Sequence, residues 1–251
     1  MSGVLENIEA ITDAKNVESL WRNYCAIIAE HGFPKLFYAF TRFRTDTSLG
    51  NPQDWVVLSN QSPTYLKTFI DKGQYINAPM LKWAQHNEGV CSWRWVDEMA
   101  RAGNLTDAEL KILEYNRQMG VQAGYTISFK SSTVRTKGAV TFSGDDSMNQ
   151  EDVETIWAKS GREITAISNV MHLKILTLPY TQSRALTKRQ REVLEWVGDG
   201  KTTQDIATIM ELTPATVEKH LRLARKVLDV DTTAQAVLKA SFYNQMFIID
   251  A

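Results

Sequence analysis

Leu186–Val230 reads LTKRQREVLEWVGDGKTTQDIATIMELTPATVEKHLRLARKVLDV, and this stretch predicts three capped helices in quick succession. Thr187 and Gln190 form a capping box, Val193, Leu194 and Val197 supply a buried stripe, and Gly200 stops the helix. Thr202, with Asp205 three residues on, starts a second helix whose apolar side is Ile206, Ala207, Ile209 and Met210. Thr213-Pro214 starts the third, with a hydroxyl at the N-cap and proline in the first turn, where its missing N–H goes unneeded. At about 100° per residue, Val217, Leu221, Ala224 and Leu228 fall on one face of this helix. Lys219 and Lys226 fall almost opposite, with Arg222 close by and Thr216 toward the flank. Only Glu211-Leu212-Thr213 separates the second helix from the third, the tight junction of a helix-turn-helix.

Charge gives this unit its direction. The 251-residue chain carries 28 Lys and Arg against 29 Asp and Glu, a net −1, so a nucleic-acid surface has to be local. Thr213–Leu228 holds Lys219, Arg222, Arg225 and Lys226 against one acid, Glu218. Near the helix start, Thr216, Glu218, Lys219 and Arg222 are placed to reach base edges in a major groove. Arg225, Lys226 and the Lys201-Thr202 helix start are placed to hold phosphates, the last through backbone N–H groups. A solvated bundle face is the bland alternative; three capped helices, a tight turn and a one-sided cationic wall together favour double-stranded DNA.

The block resembles the helix-turn-helix domain of the LuxR family over about 45 residues. The resemblance rests on Leu186-Thr187, Arg189, Arg191-Glu192-Val193-Leu194, Gly200, Ile206-Ala207, Thr216-Val217, His220, Lys226 and Leu228. Gln190 stands where the family usually has glutamate, and it still serves the capping box. The resemblance implies a phosphate contact or a packing role for His220. It also implies that a fourth helix over Asp231–Tyr243, with Ala234, Val237, Leu238 and Ser241 in line, helps to form a homodimer on a dyad-symmetric operator.

Upstream, Val17–Ile28 has a helical stripe closed at His31-Gly32, and Leu36–Phe43 alternates between Phe37/Ala39/Thr41 and Tyr38/Phe40/Arg42 as a strand does. A loop over Thr45–Asp54 leads to a strand at Trp55–Ser59. Helices follow at Pro63–Lys72, Pro79–His86 and, capped by Thr106, up to Met119. Tyr125–Lys130 and Gly138–Ser143 read as strands, and Asn149–Leu176 as one long helix. The chain is therefore α+β: an N-terminal α/β/α sandwich with an antiparallel sheet, plus a C-terminal all-α helix-turn-helix domain. Thr177–Arg184 breaks the pattern, which places a sensor and dimerisation domain at 1–176, a linker at 177–185 and the DNA-binding domain at 186–251.

Four of the seven tryptophans (Trp55, Trp83, Trp93 and Trp95) fall in one stretch, which fits either a pocket or a large aromatic core. Pro63–Trp93 resembles the autoinducer-binding domain of quorum-sensing LuxR members. Aligned on Pro79, the resemblance implies that Trp93 walls the pocket over a lactone ring, that Thr141 offers a hydroxyl to the ligand, and that Gly124 relieves crowding between helix and sheet. The family's pocket tryptophan falls on Tyr65, a family tyrosine on Phe69, and the aspartate that accepts the ligand amide N–H on Ala78. Phe37, Ala39, Val57 and Thr126 complete the candidate lining. Two readings stay open: an acyl homoserine lactone held by Tyr65, Thr141, backbone or water, or a different and more apolar signal, with a pocket filled by its own side chains beside them.

Cys25 and Cys91 make no CxxC pair, and His31, His86, His172 and His220 show no metal-ligand spacing. Two buried free thiols, no leader and no apolar run near about 18 residues predict a cytoplasmic protein with no membrane partner and no cofactor, and the LuxR resemblance implies that the cytoplasm is bacterial, on the nucleoid when DNA-bound. Neither a nucleophile–base pair, a phosphate loop, nor a phospho-acceptor aspartate pattern is found, so an enzyme and a phosphorylated receiver are not expected. What remains is a regulator that responds to a small signal, or an orphan regulator whose N-terminal domain only dimerises.

Overall fold

The computed structural model describes residues 3–45, 48–180 and 184–248. It divides into two compact units, Met1–Leu176 and Thr177–Ala251. In the first, α1 (Val4–Thr12) and α2 (Val17–Glu30) precede β1 (Lys35–Thr41) and β2 (Val56–Ser59). Then come α3 (Pro63–Leu66), α4 (Pro79–His86), β3 (Gly89–Ser92), α5 (Arg94–Arg101) and α6 (Asp107–Gln118). The unit ends with β4 (Gly124–Ser128), β5 (Lys137–Ser143) and α7 (Gln150–Ile175). The expected helix over Pro63–Lys72 begins as α3 and widens into a π-helical stretch, Lys67–Asp71. Helices α1 and α5 and strand β3 were not legible in the sequence; two are short, and β3 has only four residues.

Five strands pair antiparallel in the order β2-β1-β5-β4-β3. Register aligns Phe37 with Thr141, Thr141 with Thr126, and Thr126 with Cys91; two residues along, it aligns Ala39 with Ala139 and Ala139 with Ser128. Because directly opposed residues share a face, the sheet has two distinct sides. One carries Leu36, Tyr38, Phe40, Tyr125, Ile127, Val140 and Phe142, all buried. Aromatic packing fastens it to the helices: Trp157 of α7 stacks on Tyr125 at 4.1 Å and meets Phe33 edge-on at 5.9 Å. The Tyr24 hydroxyl of α2 hydrogen-bonds to the Ser168 hydroxyl of α7 at 2.8 Å.

His172 of α7 lies within this packing. Its ring stacks on Phe129 at 4.1 Å, and its Nδ1 lies 2.9 Å from the Tyr38 hydroxyl. Burial first, and the nearby Arg42 guanidinium second, lower its pKa from 6.5 to about 4.

In the second unit, α8 (Lys188–Gly198), α9 (Thr203–Ile209), α10 (Pro214–Leu228) and α11 (Thr233–Phe242) form a helical bundle. The described residues of the expected linker are tied to it. Tyr180 N–H donates to the Tyr243 carbonyl, Arg184 donates to the Val227 carbonyl and to Asp229, and the Gln245 amide donates to the carbonyls of Tyr180 and Arg184. Residues 181–183 of that linker lie outside the described residues. On α11, Ala236 and Ala240 face the bundle and are buried, whereas the stripe named in the sequence stays open: Leu238 is 55% exposed and Ala234 and Ser241 are exposed too. Two alanines one turn apart let α11 approach closely, which a stripe of larger residues does not allow. Ile209, expected on the buried side of α9, is 44% exposed.

Both thiols are half-buried, not buried as expected, and burial raises them, Cys25 to about 12 and Cys91 to about 11. Among the described residues no helix is long and apolar enough to cross a membrane.

Two outcomes are expected. The fold favours the neutral His172 ring, so its contribution is full above pH 6.5 and is lost as acidification proceeds toward pH 4, on the order of 3 kcal/mol in all. Thermal melts between those limits should show a slope that His172→Gln flattens; an unchanged slope counts against it. Second, a Cβ at Gly124 would sit 2.0 Å from the Phe142 carbonyl oxygen and 3.1 Å from the Trp93 ring. Gly124→Ala should cost about 1–3 kcal/mol in denaturant unfolding, and a neutral result refutes that packing.

Candidate ligand cavity and nucleic-acid interface

The second face of the sheet is built differently from the first. Phe37, Ala39, Ala139 and Thr141 stand in its central strands yet are only half-buried, because they open onto a cavity instead of meeting a helix. Its void, mouth included, is about 720 Å³. Strands β1, β4 and β5 form the floor, and α3, α4 and α6 close over it.

Nine of the ten residues expected to line a pocket do so: Phe37, Ala39, Tyr65, Phe69, Ala78, Pro79, Trp93, Thr126 and Thr141. Val57 does not. It pairs with Ala39 and so shares the correct face, but β2 is the edge strand and lies past the cavity wall. Of the four clustered tryptophans only Trp93 lines this cavity. The sequence reading missed Gln61, Met80, Leu81, Ala84, Asn116, Val121 and Ala139. Ala139 was recoverable from pairing with Ala39 once the register was known, while Asn116 sits on a polar helix with nothing in its spacing to mark it.

An aromatic stack forms one wall. Tyr65 lies parallel to Phe69 at 5.3 Å and to Tyr115 at 5.9 Å, and Phe37 meets Phe69 edge-on at 5.5 Å. Burial raises the Tyr65 pKa, so its phenol stays neutral, and its hydroxyl donates to Asn116 Oδ1 at 3.3 Å. Opposite, Trp93 Nε1 donates to Thr126 Oγ1 at 2.9 Å, which fixes the indole plane above the sheet. Gly124 admits that ring, as the resemblance implied. The Thr141 hydroxyl donates to the Phe37 carbonyl at 3.4 Å, a long bond that a better acceptor can replace. Among the described residues no carboxylate or cationic side chain lines the cavity, and Ala78 presents only a methyl group.

Two ion pairs brace the frame. Lys82 of α4 donates to Glu109 of α6 at 2.7 Å, and Thr106 donates to the same carboxylate. With Lys82 as the largest cause, Glu109 falls to about 2. Arg94 Nε donates to Glu154 of α7 at 2.8 and 2.9 Å, and with Ser92 and Gln150 it takes Glu154 to about 2.

In the second unit the caps fall where the sequence put them: Thr187 with Gln190, Thr202 with Asp205, and Thr213 before Pro214. The junction from α9 to α10 turns at Glu211, whose φ of 55° is left-handed, and Leu212 N–H donates back to the Ala207 carbonyl at 2.9 Å. Val217, Leu221, Ala224 and Leu228 are buried. Lys201, Thr202, Thr213, Glu218, Lys219, Arg222 and Lys226 are exposed, and Thr216 and His220 are half-buried. Among the described residues, the side chains of Lys219, Arg222 and Lys226 have no hydrogen-bond or ion-pair partner. Glu218 is tethered, accepting from the Thr203 hydroxyl at 2.9 Å, and Thr213 and Thr216 join hydroxyls at 2.9 Å. Arg225, expected at a phosphate, also has a contact within the unit. It is half-buried and its Nη1 donates to Thr233 Oγ1 at 2.8 Å, linking α10 to α11.

Residues 16–175, more than half of the chain, match the family model described as autoinducer binding domain, and residues 184–240 match that of bacterial regulatory proteins, luxR family. The transcriptional activator protein LuxR of Aliivibrio fischeri is 20% identical over 239 residues, spanning 94% of this chain and 90% of that one. Among solved structures, SdiA in complex with octanoyl-rac-glycerol aligns with a TM-score of 0.53 at 15% identity, covering 96% of this chain and 93% of that one. The N-acylhomoserine-lactone-dependent factor CepR2 of Burkholderia cenocepacia aligns at 0.53 and 14% identity over 68% of this chain and 92% of its own. The sandwich over a signal-sized cavity and the capped helices with a free cationic face thus have the same origin: the chain belongs to the LuxR family, a transcriptional regulator and not an enzyme, with an autoinducer-binding domain ahead of a helix-turn-helix.

Proposed function

We infer that this regulator binds a neutral acyl signal in the cavity beneath α3, α4 and α6 and, as a homodimer, reads a dyad-symmetric operator through α10. The observation that carries the first half is a set of central-strand residues left open to a void that holds no charge. A charged ligand there would lose its hydration with nothing to replace it, whereas an uncharged amphiphile matches the walls. An acyl homoserine lactone remains within this class, but its amide N–H would find no carboxylate at Ala78, and an unpaired buried amide costs about 1–3 kcal/mol. The acylglycerol carried by SdiA has no such N–H, which favours an oxygen-only headgroup here.

The second half rests on Lys219, Arg222 and Lys226, free on the outer face of a helix whose inner face is fully engaged. Lys219 and Arg222 serve base edges with Thr216 and Glu218, and Lys226, His220 and the Lys201-Thr202 helix start serve the backbone. The open stripe of α11, Ala234, Val237, Leu238 and Ser241, supplies a surface for the second copy. Ligand burial stabilises the sensor unit, residues 1–176, by mass action and so couples the cavity to dimer geometry. The protein works in the bacterial cytoplasm. The orphan alternative, in which this unit only dimerises, has no observation that favours it over an open cavity.

Replacing Lys219 and Arg222 together by alanine should weaken operator binding at least tenfold and lessen its salt dependence, with an unchanged thermal midpoint. Unaltered affinity in gel shift or anisotropy at two salt concentrations removes α10 as the reading helix.

A further inference from the structure

Among the described residues the cavity holds six polar side chains, Gln61, Tyr65, Trp93, Asn116, Thr126 and Thr141, and most of their donor protons are already spent. Trp93 Nε1 donates to Thr126, the Thr141 hydroxyl to the Phe37 carbonyl, and the Tyr65 hydroxyl to Asn116 Oδ1. Thr126, 1% exposed beneath the indole, is out of a ligand's reach. Asn116 Nδ2 and the Gln61 side-chain amide have no partner among the described residues. Resting on the signal-site reading above, we propose that Asn116, positioned by Tyr65, selects the headgroup: its Nδ2 donates to a carbonyl or ester oxygen of the ligand.

The Asn116 amide is held one way round. Burial keeps the Tyr65 phenol protonated, and its single proton goes to Asn116 Oδ1 at 3.3 Å. Turned over, the amide would give an N–H to the phenol and leave the phenol proton without an acceptor among the described residues. Oδ1 is therefore engaged, and both Nδ2 protons are left for a ligand. The backbone is placed as firmly. Asn116 lies in the last turn of α6, where its carbonyl accepts from Met119 N–H at 3.1 Å and Val121 N–H at 2.8 Å. Tyr65 stacks on Tyr115 at 5.9 Å, and the Tyr115 hydroxyl donates to the Thr64 carbonyl at 3.4 Å, so neighbouring residues of α3 and α6 hold one another. Gln61 has no such support. A donor already fixed in place loses less freedom on binding, which gives Asn116 the larger share.

A fixed donor with no fixed acceptor beside it sets the polarity of the headgroup. Ala78 offers only a methyl group, and the Asn116 oxygen is taken by Tyr65. A ligand N–H therefore meets no oriented side-chain acceptor, while a ligand oxygen meets N–H groups that nothing in the protein satisfies. That asymmetry favours an ester or ketone oxygen over an amide N–H. Asn116→Asp keeps the shape of the side chain, removes its N–H donors and puts an acceptor in their place, so it inverts the polarity of the site.

The test uses the full-length protein and its Asn116→Asp, Asn116→Leu and Tyr65→Phe variants. The probes are methyl octanoate, which carries only acceptor oxygens, N-octanoyl homoserine lactone, which carries an amide N–H, and butylbenzene, a hydrocarbon. Binding is read by calorimetry and thermal shift. Both Asn116 variants should weaken methyl octanoate about tenfold or more and bind butylbenzene no more weakly than the wild type, a split that a merely structural role would not produce. In Asn116→Asp the ratio of lactone to ester affinity should move toward the lactone, whose N–H the carboxylate accepts. Tyr65→Phe, with the amide free to turn, should fall between the wild type and Asn116→Leu with the ester. Unchanged ester affinity in the Asn116 variants, equal losses for ester and butylbenzene, or an unmoved ratio in Asn116→Asp overturns the role of Asn116 and leaves the signal site standing. Failure of both octanoyl probes to bind the wild type overturns the signal site and the role of Asn116 together. A melt without probe reports the fold of each variant, and Asn116→Asp, matched in shape, carries the test should the leucine variant not fold.

Discussion

The two-residue period of the central strands is the constraint on which the sensor unit depends. Successive side chains of β1 and β5 point to opposite sides, so one set of backbone hydrogen bonds serves two unlike environments. Leu36, Tyr38, Phe40, Val140 and Phe142 are sealed against α2 and α7, while Phe37, Ala39, Ala139 and Thr141 stand open to the void. Stability is concentrated on the sealed side, which leaves the other free to hold space. A cavity inside a folded core forfeits packing, and the sheet tolerates it because the interlocked rings of Trp157, Tyr125, Phe142 and Phe33 hold its far face.

Charge is used at the margins of the cavity and kept out of its interior. Lys82–Glu109 joins two of the helices that close over it, and Arg94–Glu154 joins the segment that carries Trp93 to the long helix α7. Both carboxylates are held well below their ordinary range, a sign of partners fixed in place. Inside, the polar groups are neutral and mostly paired with each other, Tyr65 with Asn116 and Trp93 with Thr126. A ligand can exchange such bonds without exposing a bare charge, which suits reversible binding of an uncharged molecule.

The helix-turn-helix unit was almost fully legible because its signals are local. A capping threonine, its partner three residues on, a proline in the first turn and a 3.6-residue apolar period all act within a few residues of one another. Ile209 went the other way, and the inward face of α11 and the Arg225 contact to Thr233 went unnoticed, for one shared reason. Periodicity identifies a helix and its possible faces, but which face is covered depends on a neighbour brought in from elsewhere in the chain. Thr233 ties down Arg225, and the alanine pair of α11 packs inward while the stripe with leucine stays open.

The amino-acid sequence by itself determined the two-part plan, most of the strands and helices, the capped helix with one apolar and one cationic face, and nine of the ten cavity residues named in advance. These follow from short-range chemistry and from a resemblance carried by individual positions. Only the tertiary structure decided that Val57 falls outside and that Asn116 and Gln61 edge the cavity. An empty space belongs to no residue; it appears when α4 and α6 are set at a fixed height above a sheet of known register. That height is fixed by hydrogen bonds such as Ser128 to Ala84, between residues 44 positions apart, and no local pattern encodes it.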